Sequence, residues 1–249
     1  MRSRKASRQI KRNIKGLLPA EKRESTGSGL NTLLHISAAL VAILLPLSLV
    51  ALAAGIVFRL PDLMAFEIEQ SGVLKELVLE TTGEAVAEEI TNFITHKSDA
   101  LELTTVIARK DVPVFSFMDE VNLTKIRDLL DRVLYPSAFA FALSIILFIV
   151  TRLADRRRYL KYALRTSIVI YICCAAFTMA LALFRPLRDA VFAWQPGLEF
   201  KTTDVLPQFY GGLYPLLSAG MACLISFIIY IALYGLMMRF TKEKETMFK

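Results

Sequence analysis

An all-α integral membrane protein is the expected fold class, with four transmembrane helices, both termini cytoplasmic and a helical extracytoplasmic segment between helices 1 and 2. Three observations predict it. Hydrophobic residues make up 55% of the 249-residue chain and its mean hydropathy is +0.48, too apolar for a disordered tail or an ordinary soluble domain. Asp, Glu, Lys and Arg are absent from residues 25–58, 133–151, 166–184 and 205–238, and each stretch is long enough at 1.5 Å per residue to cross a ~30 Å hydrocarbon core. The charged residues, finally, are sorted by sign among the segments between these stretches.

Span one is placed at residues 31–58. Its apolar part from Ile36 is about 23 residues, longer than the ~7 to 15 of a secretory signal, so an uncleaved anchor is expected. Spans two, three and four are placed at residues 133–151, 166–184 and 213–238. Residues 1–24 carry nine basic and two acidic side chains, residues 152–165 six and one, and residues 239–249 four and two. Residues 59–132 reverse the balance with eight basic against fifteen acidic, while residues 185–204 are neutral at three each. Because Lys and Arg are retained on the cytoplasmic side, the tails (1–30 and 239–249) and the 152–165 loop are expected inside. Residues 59–132 and 185–212 then lie outside, which makes this a multi-pass protein of the plasma membrane.

The net charge of +7 sits beside membrane exits and comes with no nucleic-acid-binding module, so membrane lipids, not nucleic acid, are the expected partners. In the tail, basic residues from Arg2 to Lys15 surround Ile10, Ile14, Leu17 and Leu18, a pattern that suits either an amphipathic surface helix or disorder. The three cysteines lie in apolar runs and read as packing residues. Two histidines, His35 and His96, are too few for a histidine-rich zinc site, and neither metal nor cofactor is expected.

The acidic segment reads as helical. Thr81–Thr82–Gly83–Glu84 has the spacing of a capping box, after which Val86, Ile90, Phe93 and Ile94 recur on one face. Ser116 and Asp119 mark a second cap, followed by a stripe of Leu123, Ile126, Leu130 and Val133 that runs straight into span two, so one helix is expected to leave the bilayer unbroken. Arg109 to Pro113 interrupts the pattern, and the apolar cluster Val114, Phe115, Phe117 and Met118 is expected to dip into the headgroups. His96, at the end of the first helix, is assigned a solvated or capping role. Small residues on span four (Ser218, Ala219, Ala222, Cys223) and span three (173–176) suit close helix packing.

Two stretches carry a family resemblance. Phe115–Ser116–Phe117–Met118–Asp119–Glu120–Val121–Asn122–Leu123 lies just before span two. In the second outer segment, residues 187–192 with Trp194, Asp204 and Pro207–Gln208–Phe209–Tyr210 form the other. With the four-span layout they resemble the bacterial lipoprotein intramolecular transacylase (Lit) family. The resemblance implies a lipid-modifying membrane fold and transfer of an acyl chain between the glyceryl group and the N-terminal amine of a lipoprotein. The sequence departs from the family pattern at the two motif histidines, where Leu123 and Arg188 stand. Leucine accepts no proton and arginine stays protonated, so neither serves as a general base.

Two readings stand together. In one, the chain is a divergent lipid acyltransferase whose catalytic candidates are the carboxylates Glu120 and Asp189, working if burial raises a pKa toward neutrality. In the other it is non-catalytic and binds a lipid, a lipoprotein or another membrane protein through Asn122, Arg188, Trp194 and Asp204. A transport or scaffold role comes last, since no ionisable residue falls at mid-bilayer in the spans to mark an ion path.

Overall fold

The computed structural model describes residues 21–76, 80–107, 109–154, 157–184, 186–187 and 214–241. Its elements are α1 (Glu21–Val57), α2 (Pro61–Ser71), α3 (Val73–Glu76), α4 (Gly83–Ile94), β1 (Thr104–Ile107), β2 (Lys110–Pro113), α5 (Phe117–Leu153), α6 (Arg157–Leu183) and α7 (Tyr214–Thr241). Four helices are long and apolar enough to cross a membrane: α1 from Asn31, α5, α6 from Arg158, and α7. Residues 1–20 of the basic tail and most of the second interspan segment, residues 188–213, lie outside the described residues.

Helix α1 is the hub of the bundle, with α5, α6 and α7 packed along it. More than half of its apolar window, 56%, is buried, against 11% for α5 and for α6. In a bilayer those two helices therefore give most of their apolar surface to lipid, as Phe139, Ile149, Val169 and Ile172 do. Val41, Leu45, Leu49 and Val50 of α1 meet Phe148, Leu160, Leu164, Tyr171, Tyr230 and Met237 in one core. Ala53 and Val57 meet Ala222 of α7 in another, the close approach that small residues allow. On α6 the small-residue face is only partly used, because Cys173 and Ala176 are exposed.

Two pairs of hydroxyls inside the bundle bond between helices, as a low-dielectric surrounding favours. The Tyr171 hydroxyl lies 3.0 Å from Ser226 Oγ and donates to the Cys223 carbonyl at 3.1 Å. Ser167 Oγ lies 2.7 Å from the Tyr230 hydroxyl, and the Tyr171 and Tyr230 rings stack at 4.6 Å.

A small domain built from residues 58–123 caps one end of the bundle. Gly72, at φ 71, supplies the left-handed residue that ends α2. Thr82 Oγ1 accepts the Ala85 N–H at 3.2 Å and opens α4. At Ser116 both arms of a capping box are formed: its Oγ accepts the Asp119 N–H at 3.1 Å, and Asp119 Oδ2 accepts the Ser116 N–H at 3.0 Å. Helix α5 then continues unbroken to Leu153. Val86, Ile90, Phe93 and Ile94 are all fully buried, packed with Met64 and Ile68 of α2, Leu123 of α5 and Tyr214 of α7.

Two findings differ from the sequence reading. The interruption at Arg109 is the turn of a two-stranded antiparallel hairpin, with Thr104 opposite Pro113 and Ile107 opposite Lys110; Arg109 takes φ 67 there. Val114 and Phe115 do not dip outward but are each 6% exposed within the cap-domain core, whereas Phe117 is 77% exposed. The Val114 N–H donates to Leu103 O at 2.9 Å, which carries the chain back from the hairpin over the core and turns these two side chains inward.

Candidate functional site

Where the cap domain meets the bundle, three charged or titratable side chains from distant parts of the chain converge. Arg59 lies two residues past the end of α1, His96 two residues past the end of α4, and Asp131 lies on α5 two residues before the uncharged stretch of span two. Arg59 Nη2 donates to Asp131 Oδ1 at 2.6 Å, and His96 Nε2 lies 2.7 Å from Asp131 Oδ2. Arg59 and Asp131 are mostly buried, with side chains 13% and 19% exposed, while His96 is half exposed.

Helix ends hold the cluster in place. His96 occupies the left-handed position after α4 with φ 59. Its N–H donates to Phe93 O at 3.2 Å and that of Lys97 to Asn92 O at 2.8 Å, the paired bonds of a Schellman turn. Glycine is the usual occupant of this position, and a left-handed non-glycine residue costs roughly 1–2 kcal/mol. One turn back on each helix, Arg127 of α5 stands 4.8 Å over the Phe93 ring of α4. Phe93 with Arg127, and His96 with Asp131, thus form two rungs that fix the register of α4 against α5.

The electrostatics are coherent. Partial burial works against the charge of Asp131, but the hydrogen bonds and positive charge of His96 and Arg59 outweigh it and hold the carboxyl below its usual pKa. A carboxylate on Nε2 orients the imidazole and, in its neutral form, leaves Nδ1 as the proton acceptor. A half-exposed histidine so oriented, at the level where span two begins, can take a proton from a group approaching along the membrane boundary.

The residues singled out from sequence lie elsewhere. Glu120 is half-buried in the first turn of α5, eleven residues and about 16 Å of helix rise from Asp131, so it is not part of this cluster. Asn122 is fully buried. Leu123 is fully buried in the cap-domain core. Arg188, Asp189, Trp194 and Asp204 lie outside the described residues. His35 is at the other end of the bundle, its ring 3.7 Å from that of Tyr159. Sequence reasoning passed over Arg59 and Asp131 and gave His96 only a helix-end role. The signals that could have found the cluster were a histidine where a helix end favours glycine, and opposite charges at the exits of spans one and two.

Among the described residues no group of three or more His, Cys, Asp or Glu is arranged to hold a metal ion. No known family model matches the chain, and no curated protein does. Among solved structures, the membrane-integral lipoprotein intramolecular transacylase Lit from Bacillus cereus is similar, with a TM-score of 0.54 at 12% identity. The likeness covers 85% of this chain and 97% of that one. The chain is therefore a multi-pass membrane protein with a Lit-like fold.

Proposed function

We propose that this protein acts on lipids or lipoproteins at the outer face of the plasma membrane as an acyl-transfer enzyme, with His96 as the general base and Asp131 as its positioning residue. The observation that carries the reading is the 2.7 Å contact between His96 Nε2 and Asp131 Oδ2 at the membrane boundary. The positive-inside sorting of charge assigns the cap domain to the outer side, and the Lit-like fold supports a lipoprotein as the substrate.

The chemistry asks for little beyond such a base. An amine or hydroxyl of the acceptor adds to the ester carbonyl of a membrane-anchored acyl chain and gives up a proton to His96 Nδ1. When the tetrahedral intermediate collapses, the acyl C–O bond breaks and His96 returns the proton to the departing glyceryl oxygen. Asp131 holds the ring and stabilises the imidazolium formed in between, while Arg59 keeps Asp131 ionised.

A second reading, binding without catalysis, is favoured by Leu123 and Arg188 at the motif positions of the two histidines. To decide between them, the protein is expressed in cells lacking other lipoprotein N-acylating activity, and lipoprotein N-termini are read by mass spectrometry. Transfer is expected with the wild-type chain and not with His96→Gly, a substitution that keeps the left-handed turn while removing the imidazole. An unchanged acyl pattern despite correct insertion would leave the binding reading, and undiminished transfer by His96→Gly would remove His96 as the base.

A further inference from the structure

At the end of the bundle away from His96, the first two turns of α6 carry a second charged feature. Arg158, Lys161, Tyr162 and Arg165, spaced i, i+3, i+4 and i+7, share one helix face and line an open surface depression of about 310 Å³. The opposite face of the same turns is buried: Leu160 and Leu164 join the core with α1, and Ala163 packs with Ala38 and Ala42. The basic face is therefore turned away from the bundle.

Nothing described neutralises it. No ion pair joins Arg158, Lys161 or Arg165 to another described residue. Residues 152–165 contain six cations and a single acid, Asp155, which can balance at most one of the three lining cations. Like charges one turn apart repel, so the stripe favours an anion beside it, and no described acid takes that place. Depth indicates its source. The uncharged stretch of span three begins at Thr166, immediately after Arg165, and Tyr162, 70% exposed, is the kind of side chain that settles at headgroup level. An open depression at this depth admits a headgroup phosphate and leaves the acyl chains in the bilayer.

We infer that Arg158, Lys161, Tyr162 and Arg165 form a binding site for the headgroup phosphate of an anionic phospholipid. The site is separate from the acyl-transfer reading and stands whatever the chemistry at His96.

The test uses the full chain in phosphatidylcholine vesicles, with Trp194→Phe removing the native tryptophan and Tyr162→Trp placing a fluorophore in the stripe. Quenching by brominated phosphatidylglycerol is compared with quenching by brominated phosphatidylcholine at equal mole fraction. A preference of about fivefold for the anionic lipid is expected, equal to about 1 kcal/mol at 1.4 kcal/mol per tenfold. It should vanish when Arg158, Lys161 and Arg165 are all changed to Gln, and persist when Lys5, Lys11 and Lys15 are changed instead. Equal quenching by the two lipids would overturn the inference, and this comparison stands even if the triple variant fails to fold. Equal loss of preference in the tail variant would assign the effect to bulk charge. Release of the quenching by inorganic phosphate at matched ionic strength would make this a site for a soluble anion. Either result would likewise overturn the lipid assignment.

Discussion

Asp131→Asn removes one negative charge from a carboxylate that serves two cations and keeps the shape of the side chain. An ion pair broken in a fully buried site costs about 3–5 kcal/mol, and an exposed one about 0–1. With Arg59 and Asp131 at 13% and 19% exposure, this pair lies between the two limits, and the half-exposed His96 adds little. The expected cost is about 2 kcal/mol, most of it the guanidinium left without a countercharge. For a chain of this size that corresponds to a lowering of Tm by roughly 4–8 °C, measured in detergent by size-exclusion chromatography after heating. A double-mutant cycle apportions the loss: coupling of Asp131 with Arg59 should be about 1.5 kcal/mol, and with His96 about 0.5 kcal/mol. An Asp131→Asn protein melting within about 1 °C of wild type would refute the claim that this cluster is buried enough to hold the cap domain on the bundle.

The acid response of the same group has a definite sign. Because the folded pKa of Asp131 lies below the ordinary value of 3.8, its stabilisation is complete above that value and is lost as pH falls through the lower folded one. The Tm gap between wild type and Asp131→Asn should therefore stay constant from neutrality to about pH 5 and close below about pH 4; closure already at neutral pH would contradict the assignment. Gly83→Ala would place a Cβ 2.7 Å from Glu69 Cγ and 3.1 Å from the Ala65 carbonyl oxygen. It should cost about 1–3 kcal/mol, seen as faster proteolysis of the cap domain with the bundle intact. Tyr171→Phe keeps the stack on Tyr230 and loses the contacts with Ser226 and Cys223; a loss of about 0.6–1 kcal/mol is expected by thermal scanning.

Features that repeat at short spacing were legible in the amino-acid sequence. The four apolar stretches announce themselves by missing charge, the Ser116–Asp119 box by a three-residue interval, and the Val86–Ile90–Phe93–Ile94 face by helical period. The hairpin was not, because Thr104–Ile107 is too short to show alternation and its turn at Arg109 lacks the glycine or asparagine that usually signals one. Nor was the Arg59–Asp131–His96 cluster. Asp131 is 72 residues from Arg59 and 35 from His96, and pairing over such separations leaves no local pattern. It depends on α4 packing against α5, which three-dimensional structure alone supplies. Val114 and Phe115 misled for the same reason, since an apolar cluster beside acidic residues reads alike whether it meets lipid or a protein core.

Helix α5 has 37 residues, about 55 Å at 1.5 Å each, where a bilayer core needs only about 30 Å. The surplus projects as a stalk, with Asp131 near its foot and the Ser116 cap at its tip. Tilting this rod in response to bilayer thickness would swing the tip farther than the foot, like the long arm of a lever pivoting at the lipid surface. The contact to His96 sits close to that fulcrum, where such swaying displaces it least.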